Sequence, residues 1–449
     1  MSPLFLLFLA IAVLYTILNL ARLNHLWPQI EADFSNKIDL KKRFESFPQR
    51  TRGEGAKATV AYVISITACK ELKGIIDGAA VLQHSIHLNS IRASNHSSYD
   101  YAMVAFVHPE ASNCSKPLGA LGYQVQVRET PIRLEDVRGE YKLTASKAGC
   151  CGELEWLKLY AFVLTDHPVA VHLDLDVLIL QPLDNLFDAM LFGSELQGSM
   201  WNDSPKQIDA FFTRDYNMVI PGKRKVHQVG VQGGFLVVRP DQQVFDEFIE
   251  IILEGNFSIS RGWGLMYGGY YGAATIQGLA AFYYGHVRPG TAVELNRCLY
   301  NNMADNPRSG KEHKSKCRSM QEECEDCRHT DLSLVRSIHY TECFKPWKCI
   351  AAQPHGWKHE KRDQCRKFHR EWFGVRYSLE QAWKMKENRE HPRGIYLPNP
   401  VSGTTATGQE DYTFHYCRPK GDGAKIYIPL EIPQSLFDRQ NVEFPLLLL

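Results

Sequence analysis

The stretch VHLDLDVLIL, residues 171–180, decides the fold of this chain. Its apolar and partly β-branched residues predict a buried strand, which Asp174 and Asp176 interrupt near its end. Ionised carboxylates are costly in an apolar setting unless they are paired, protonated or bound to a metal ion. Two of them at the end of a strand can bind one hard divalent cation and the phosphate that it carries. A solvated acidic turn is the plainer alternative.

Strands and helices alternate around this stretch, which predicts an α/β fold with a mixed, mainly parallel central sheet. Residues 77–88 and 153–164 carry apolar side chains at helical spacing. In the second helix one face holds Leu154, Leu157, Tyr160 and Ala161. Further strands are expected at residues 59–66, 101–107 and 123–127. Open sheets bind ligands at the carboxyl ends of their strands, where the two aspartates lie.

The composition is that of a globular protein, since 44% of the 449 residues are hydrophobic and 22% are charged. A formal net charge of +1 provides no field for nucleic acid or for an acidic membrane surface. We therefore expect no nucleic acid partner.

Residues 3–20 form an uncharged, mostly apolar run, which is either a membrane anchor or a signal peptide. No Ala-x-Ala-like cleavage site follows, which favours an uncleaved anchor. Arg22 after the run favours a cytosolic body under the positive-inside rule. The 12 cysteines and the Asn-x-Ser sequons favour a body in the lumen of the secretory pathway instead. These sequons are at Asn95, Asn113, Asn202 and Asn256.

Three segments carry a resemblance to a known family. Residues 156–182 resemble the core of the family 8 glycosyltransferases, the glycogenin-like enzymes with a GT-A fold, and Lys158 stands upstream of Asp174 at the family's spacing. Residues 231–238 (VQGGFLVV) resemble a strand that lies beside the donor sugar. Residues 339–347 are similar to the signature His-x-x-Gly-x-x-Lys-Pro-Trp, although Glu342 replaces the glycine.

The resemblance implies a GT-A-like single nucleotide-sugar-binding domain that transfers a hexosyl group, with retention, from a UDP-sugar to a glycan or protein acceptor. It implies that Asp174, Asp176 and His339 bind a metal ion. Mn²⁺ suits two carboxylates and an imidazole better than Mg²⁺, which stays the alternative. A Golgi membrane location with a lumenal catalytic domain would follow.

The same resemblance assigns roles around the donor. Lys345 would contact the diphosphate. Gln277, Asp174 and Lys158 are the residues implied in catalysis. The residues implied in donor binding are Lys158, Asp174, Gln232, Gly233, Gly234 and Lys345.

Two departures from the family pattern keep other functions open. Ile276 replaces an acidic residue and Ala281 replaces the usual Asn, which allows a non-catalytic lumenal protein that binds a nucleotide sugar. Residues 68–75 lack the aromatic side chain that often stacks on uracil, so uridine specificity is inferred only from what is usual in the family.

The Asp174-x-Asp176 pair also resembles the nucleophile and the acid/base of haloacid-dehalogenase-like phosphatases, but their downstream acidic motif is missing.

We expect an anchor at residues 1–25, a stem at 26–57, a catalytic domain at 58–350 with a cysteine-rich insert at about 298–330, and a C-terminal extension at 351–449. Cys324 and Cys327 have the spacing of zinc ligands, but disulfides are favoured in an oxidising compartment. The vicinal pair Cys150 and Cys151 could supply one end of a bridge. Three aromatic residues of the extension are expected to pack on the catalytic domain: Trp372, Phe373 and Trp383.

Overall fold

The computed structural model describes residues 58–69, 72–91, 97–149, 151–193, 207–218, 229–267, 272–306, 308, 317–318, 323–349, 359–384, 416–419 and 425–438, all of which belong to the compact unit Lys57–Leu449. The expected anchor and stem, the Asn95 and Asn202 sequons, Cys150 and much of the cysteine-rich insert lie outside these residues. Among the helices described, none is both long and apolar enough to cross a membrane.

The strands are β1 (Thr59–Ile66), β2 (Asp100–Val107), β3 (Gln124–Val127), β4 (Ala170–Leu173), β5 (Val177–Ile179), β6 (Ala210–Arg214), β7 (Val231–Val238), β8 (Phe257–Ser258), β9 (Gly262–Trp263), β10 (Ala292–Glu294), β11 (Ser337–His339), β12 (Cys417–Pro419) and β13 (Lys425–Tyr427). The α-helices are α1 (Leu72–Ile91), α2 (Ser115–Ala120), α3 (Tyr141–Ala145), α4 (Asp184–Phe192), α5 (Gln242–Glu254), α6 (Ile276–Phe282), α7 (His359–Lys384) and α8 (Gln434–Asp438).

The central sheet has seven strands in the order β10-β6-β7-β4-β1-β2-β3. β7 is antiparallel to both of its neighbours, while the other strands run in one direction. This confirms the mixed, mainly parallel α/β sheet. The carboxyl ends of β4 and β6 therefore lie at the same edge, next to the start of β7.

Both faces of the sheet are covered. Alternate residues of β1 point to opposite sides, so Val60, Tyr62 and Ile64 belong to one apolar core, and Ala61 and Val63 to the other. Helix α1 packs into the first core, whereas α5 and α6 pack into the second. Burial on two sides explains why β1, which pairs parallel with β2 and β4, is a nearly continuous apolar run.

Residues 171–180 are not one strand, contrary to expectation. β4 ends at Leu173, the aspartates occupy a turn, and β5 leaves the central sheet to pair antiparallel with β11. The backbone N–H of Val177 closes the turn on the carbonyl of Asp174 at 3.1 Å, and the N–H of Asp174 bonds to the Gly234 carbonyl at 3.0 Å. The two carboxylates thus sit between strands of two sheets.

The expected α-helix at 153–164 is a 3₁₀-helix over Gly152–Val163. With three residues per turn, Trp156, Leu159 and Phe162 share a face, and all three are buried. Leu154 and Tyr160 are only half-buried, because the expected face assumed a period of 3.6.

Disulfides connect several segments of the domain and its extension, as the cysteine-rich sequence predicts. The bridges described are Cys69–Cys114, Cys298–Cys327, Cys317–Cys324, Cys343–Cys365 and Cys349–Cys417. Cys324 and Cys327 belong to different bridges, so the zinc alternative is wrong. In α7, Trp372 and Phe373 are fully buried and Trp383 packs on the first core, which confirms that the extension folds onto the domain.

Candidate metal centre

Asp174, Asp176 and His339 come together where β4 ends. β11 pairs with β5 so that His339 lies opposite Val177, the residue after Asp176. The N–H of Tyr340 then donates to the Asp176 carbonyl at 2.8 Å. Two segments far apart in the chain thereby hold the three side chains on one side of a short antiparallel ladder.

The potential ligand atoms of these three residues all lie within 4.8 Å of one another. His339 Nε2 is 3.5 Å from Asp176 Oδ1 and 4.0 Å from Asp174 Oδ2. The side chains of His339 and Asp176 are 2% and 5% exposed, whereas that of Asp174 is 34% exposed. The cluster is therefore held inside the protein but opens to solvent at Asp174.

Gly234 makes room for the cluster. A Cβ atom on this residue would lie 2.4 Å from His339 Cε1 and 2.9 Å from Asp174 Oδ2, closer than real Cβ atoms approach. Glycine is thus required by close approach, since no left-handed backbone is involved. The cradle and the donor set, two carboxylates and one imidazole, fit a divalent cation such as Mn²⁺.

Two lysines complete the centre. Lys158 Nζ contacts Asp174 Oδ1 at 2.9 Å and the Gly233 carbonyl at 3.1 Å. Lys345 Nζ contacts Asp176 Oδ2 at 3.1 Å, and its side chain is 44% exposed. The two ammonium groups balance the two carboxylates, so a divalent cation would give the centre a surplus positive charge that suits an anionic ligand.

Both aspartates are ionised despite their surroundings. Burial by itself raises the pKa of Asp174, but Lys158 and His339 outweigh it and lower that pKa. Burial opposes ionisation of Asp176 too, and His339 and Lys345 hold its pKa below the usual range. The neighbouring His172 is neutral, because burial, assisted by Lys158, lowers its pKa to about 3.

The predicted donor residues lie around the same point. Gln232 is buried and turns back onto its own strand, where Oε1 accepts a hydrogen bond from the Gly234 N–H at 2.7 Å. A Cβ atom on Gly233 would lie 3.4 Å from Gln277 Cγ and 3.6 Å from Lys158 Nζ. The structure thus brings Gln277, Gly233 and Lys158 together, next to Asp174.

The departures from the family pattern have different structural consequences. Glu342 does not adopt a left-handed backbone; Phe344 does, with φ 56°, so no glycine is needed at 342. Ile276 and Ala281 are 1% exposed and belong to the second apolar core, where they leave no polar atom for a ligand.

Sequence reasoning missed two features of the centre. Thr341 Oγ1 lies 2.9 Å from His339 Nε2 and can orient the imidazole. The indole of Trp347 lies against Gly74 and Gly78 of α1, where added Cβ atoms would come within 2.5 Å and 3.0 Å of it. The available signal was the spacing of Gly74 and Gly78, which are one helical turn apart; only Gly78 lay in the predicted helix at 77–88, whereas the observed helix begins at Leu72.

No protein-family model and no curated protein sequence matches the chain. Its fold has likenesses among solved structures. Mouse xyloside xylosyltransferase 1 in its apo form is 11% identical, with a TM-score of 0.39, over 63% of this chain and 98% of that protein. The galactosyltransferase LgtC, in complex with donor and acceptor sugar analogues, is 11% identical, with a TM-score of 0.36, over 68% of this chain and 94% of LgtC.

The apo glycosyltransferase GlyE of Streptococcus pneumoniae TIGR4 is 9% identical, with a TM-score of 0.38, over 73% of this chain and 63% of GlyE. All three are glycosyltransferases. At TM-scores below 0.5 these likenesses carry no argument about the reaction, which has to come from the geometry of the centre.

Proposed function

We propose that the protein is a metal-dependent glycosyltransferase that moves a hexosyl group from a UDP-sugar to a glycan or protein acceptor with retention of configuration. One observation carries the proposal: two carboxylates, an imidazole and two lysines converge at the carboxyl end of β4. Sheets of this class bind their ligands at that edge. Among the described residues it is the one cluster of acidic and histidine side chains that could hold a metal ion.

Asp174, Asp176 and His339 would hold Mn²⁺, with Mg²⁺ as the alternative. When bound, such an ion neutralises the charge that develops on a departing diphosphate. Lys345, partly exposed beside Asp176, is placed to bind the same diphosphate by a charge-assisted hydrogen bond. Positive charge fixed before the reaction lowers the barrier without reorganisation.

The remaining residues position the donor. Lys158 bridges Asp174 and the Gly233 carbonyl, so it holds the turn of the aspartates against the start of β7. Gly233 packs closely against Ile276 and Gln277, so a side chain there would push them apart, and we assign the sugar of the donor to the region beside Gln277 and Asp174. Gln277 and Asp174 are then the polar side chains nearest to the anomeric centre.

A non-catalytic protein that binds a nucleotide sugar is the second candidate. It is favoured by Ile276 and Ala281, which place apolar side chains where the family pattern has an acid and an amide. A haloacid-dehalogenase-like phosphatase is the third candidate, and it leaves His339 and Lys345 without a role.

UDP release by the purified full-length protein tests the proposal, across a panel of UDP-sugars with and without Mn²⁺. We expect release from one sugar, dependent on the metal and lost in Asp176→Asn. The matched control is Asp209→Asn, which changes a buried, ion-paired carboxylate at the opposite edge of the sheet. Release that survives in Asp176→Asn would refute the metal assignment.

Binding measurements separate the candidates if no sugar is turned over. UDP binding that requires Mn²⁺, without release, would favour the non-catalytic candidate. A protein that neither binds UDP nor releases it contradicts the proposal, and hydrolysis of a phosphate monoester would favour the phosphatase.

We also propose a membrane-anchored protein with this domain in the Golgi lumen. The disulfides described support an oxidising compartment. Asn113 and Asn256 are exposed, as sequons must be to receive a glycan. Removal of N-glycans should raise the electrophoretic mobility of the protein from cells, and unchanged mobility together with reduced cysteines would contradict the lumenal location.

A further inference from the structure

Helix α7, in the C-terminal extension, contacts the loop that carries Lys345. His369 is fully buried, and its Nε2 lies 2.9 Å from the Cys343 carbonyl and 3.1 Å from the Phe344 carbonyl. Because carbonyl oxygens only accept hydrogen bonds, Nε2 carries the proton and donates to both. One imidazole therefore fixes two consecutive peptide units.

The peptide units of Cys343 and Phe344 adjoin an unfavourable backbone conformation, which has to be stabilised by other contacts. Phe344 has φ 56°, a left-handed conformation that a large side chain rarely adopts, and the residue is 43% exposed. The Cys343–Cys365 disulfide ties the residue before it to α7. The Tyr340 hydroxyl donates to the Phe368 carbonyl at 2.5 Å, also in α7. Helix α7 therefore contacts this turn through two hydrogen-bonding side chains and a disulfide.

Lys345 is the next residue after this turn. The direction in which its side chain leaves the backbone depends on the Phe344 conformation, and in the structure it ends 3.1 Å from Asp176 Oδ2. Relaxation of Phe344 to a negative φ would redirect the chain at Lys345 and move the ammonium away from the metal centre.

We propose that His369 is a positioning residue for the diphosphate: it holds the left-handed turn at Phe344 and thereby aims Lys345 at the anionic ligand of the centre. This inference rests on the proposed function and deepens it. The C-terminal extension then supports the binding of the nucleoside diphosphate indirectly, through the loop that carries Lys345.

The test is the affinity for UDP in the presence of Mn²⁺, measured by calorimetry on the full-length protein. His369→Leu should weaken UDP binding about 3- to 10-fold, because it removes two hydrogen bonds to the loop and so displaces the Lys345 ammonium. His369→Gln, which keeps an N–H donor, should recover part of the affinity. The matched control is His84→Leu, another buried histidine, which contacts α7 through Ser378 at 3.3 Å; it should change the affinity by less than about twofold.

A double-mutant cycle separates positioning from general destabilisation. If His369 acts through Lys345, the variant with both His369→Leu and Lys345→Ala should bind UDP no more weakly than Lys345→Ala alone. Additive losses would overturn the inference, as would unchanged affinity in His369→Leu. If His369→Leu does not fold, the double variant Phe344→Gly with His369→Leu replaces it. Glycine adopts the left-handed conformation without the hydrogen bonds from His369. This double variant should bind UDP with an affinity within about twofold of that of Phe344→Gly alone.

The cycle also separates this inference from the proposed function. A wild-type protein that does not bind UDP with Mn²⁺ would reject both. Binding that Lys345→Ala weakens and His369→Leu leaves intact would reject the positioning role alone.

Discussion

Gly234 and His339 are in such close contact that a single methyl group between them would place Cβ 2.4 Å from the imidazole Cε1. β7 approaches the aspartate turn through this glycine, and its carbonyl accepts the hydrogen bond from the Asp174 N–H. The backbone of one strand therefore forms one wall of the metal centre, and the absence of a side chain is what allows His339 to face both carboxylates.

Gly234→Ala should therefore damage the centre more than the fold. We expect a loss of about 1–3 kcal/mol in the free energy of unfolding, typical of overpacking, and a decrease in Mn²⁺ affinity of at least about tenfold as His339 is displaced. Gly233→Ala is the comparison, since its nearest neighbour would be Ile276 Cγ2 at 3.0 Å and not a ligand. Equal Mn²⁺ affinities in the two variants, measured by titration, would contradict this role of Gly234.

Lys345→Ala should weaken UDP binding about tenfold, the value of a charge-assisted hydrogen bond at a partly exposed site. Titration with UDP at saturating Mn²⁺ measures it. Lys348→Ala, which removes an exposed lysine from the same loop, is the matched control. Unchanged affinity in Lys345→Ala would remove this residue from the diphosphate site.

Arg376 joins the extension to the first helix of the domain through a buried ion pair. Its guanidinium is 3.4 Å from Asp77 Oδ2, both side chains are 1% exposed, and the ring of Tyr416 lies 4.0 Å away. Arg376→Leu should lower the free energy of unfolding by about 3–5 kcal/mol, because it leaves a buried carboxylate without its charge partner. Adding Asp77→Asn should restore part of this loss in denaturant melts, and a double variant no more stable than Arg376→Leu would contradict the explanation.

The pH dependence of stability should carry the signature of Asp77. Burial raises the pKa of this carboxyl in the folded protein, against the opposing effects of Tyr427 and Arg376. A folded pKa above the unfolded one means that its contribution to stability is complete below the unfolded pKa and is lost as pH rises through the folded pKa. Between the unfolded and the folded pKa of Asp77, the unfolding free energy of the wild-type protein should fall with rising pH relative to that of Asp77→Asn, and an identical pH dependence of the two would contradict the raised pKa.

The regular elements of the sheet could be predicted because they depend on local pattern. β1 is a nearly continuous apolar run, and its bounds agree with the expected ones. The bounds of β7 agree as well, but the family resemblance gave them and not the local pattern. The division of residues 171–180 into two strands could not be predicted. It depends on the pairing of β5 with β11, which lies far downstream, and a local hydrophobic pattern contains no information about a distant strand. The order of Lys158, Asp174, Asp176, His339 and Lys345 suggested the residues of the centre. His369, in contrast, is one polar residue in an amphipathic helix, and only the fold shows that its imidazole faces the Lys345 loop.

The Cys343–Cys365 disulfide should affect both stability and ligand binding. It closes a segment of 22 residues between the Lys345 loop and α7, so replacement of both cysteines by alanine should cost about 2–4 kcal/mol of unfolding free energy through the freedom gained by the unfolded chain. The same change releases the residue before Phe344, and we expect UDP affinity to decrease about threefold or more. Cys317→Ala with Cys324→Ala is the control: this pair, separated by 7 residues, should also destabilise the protein but leave UDP affinity unchanged. If the two double variants lose affinity equally, the disulfide acts on the whole fold and not on the Lys345 loop.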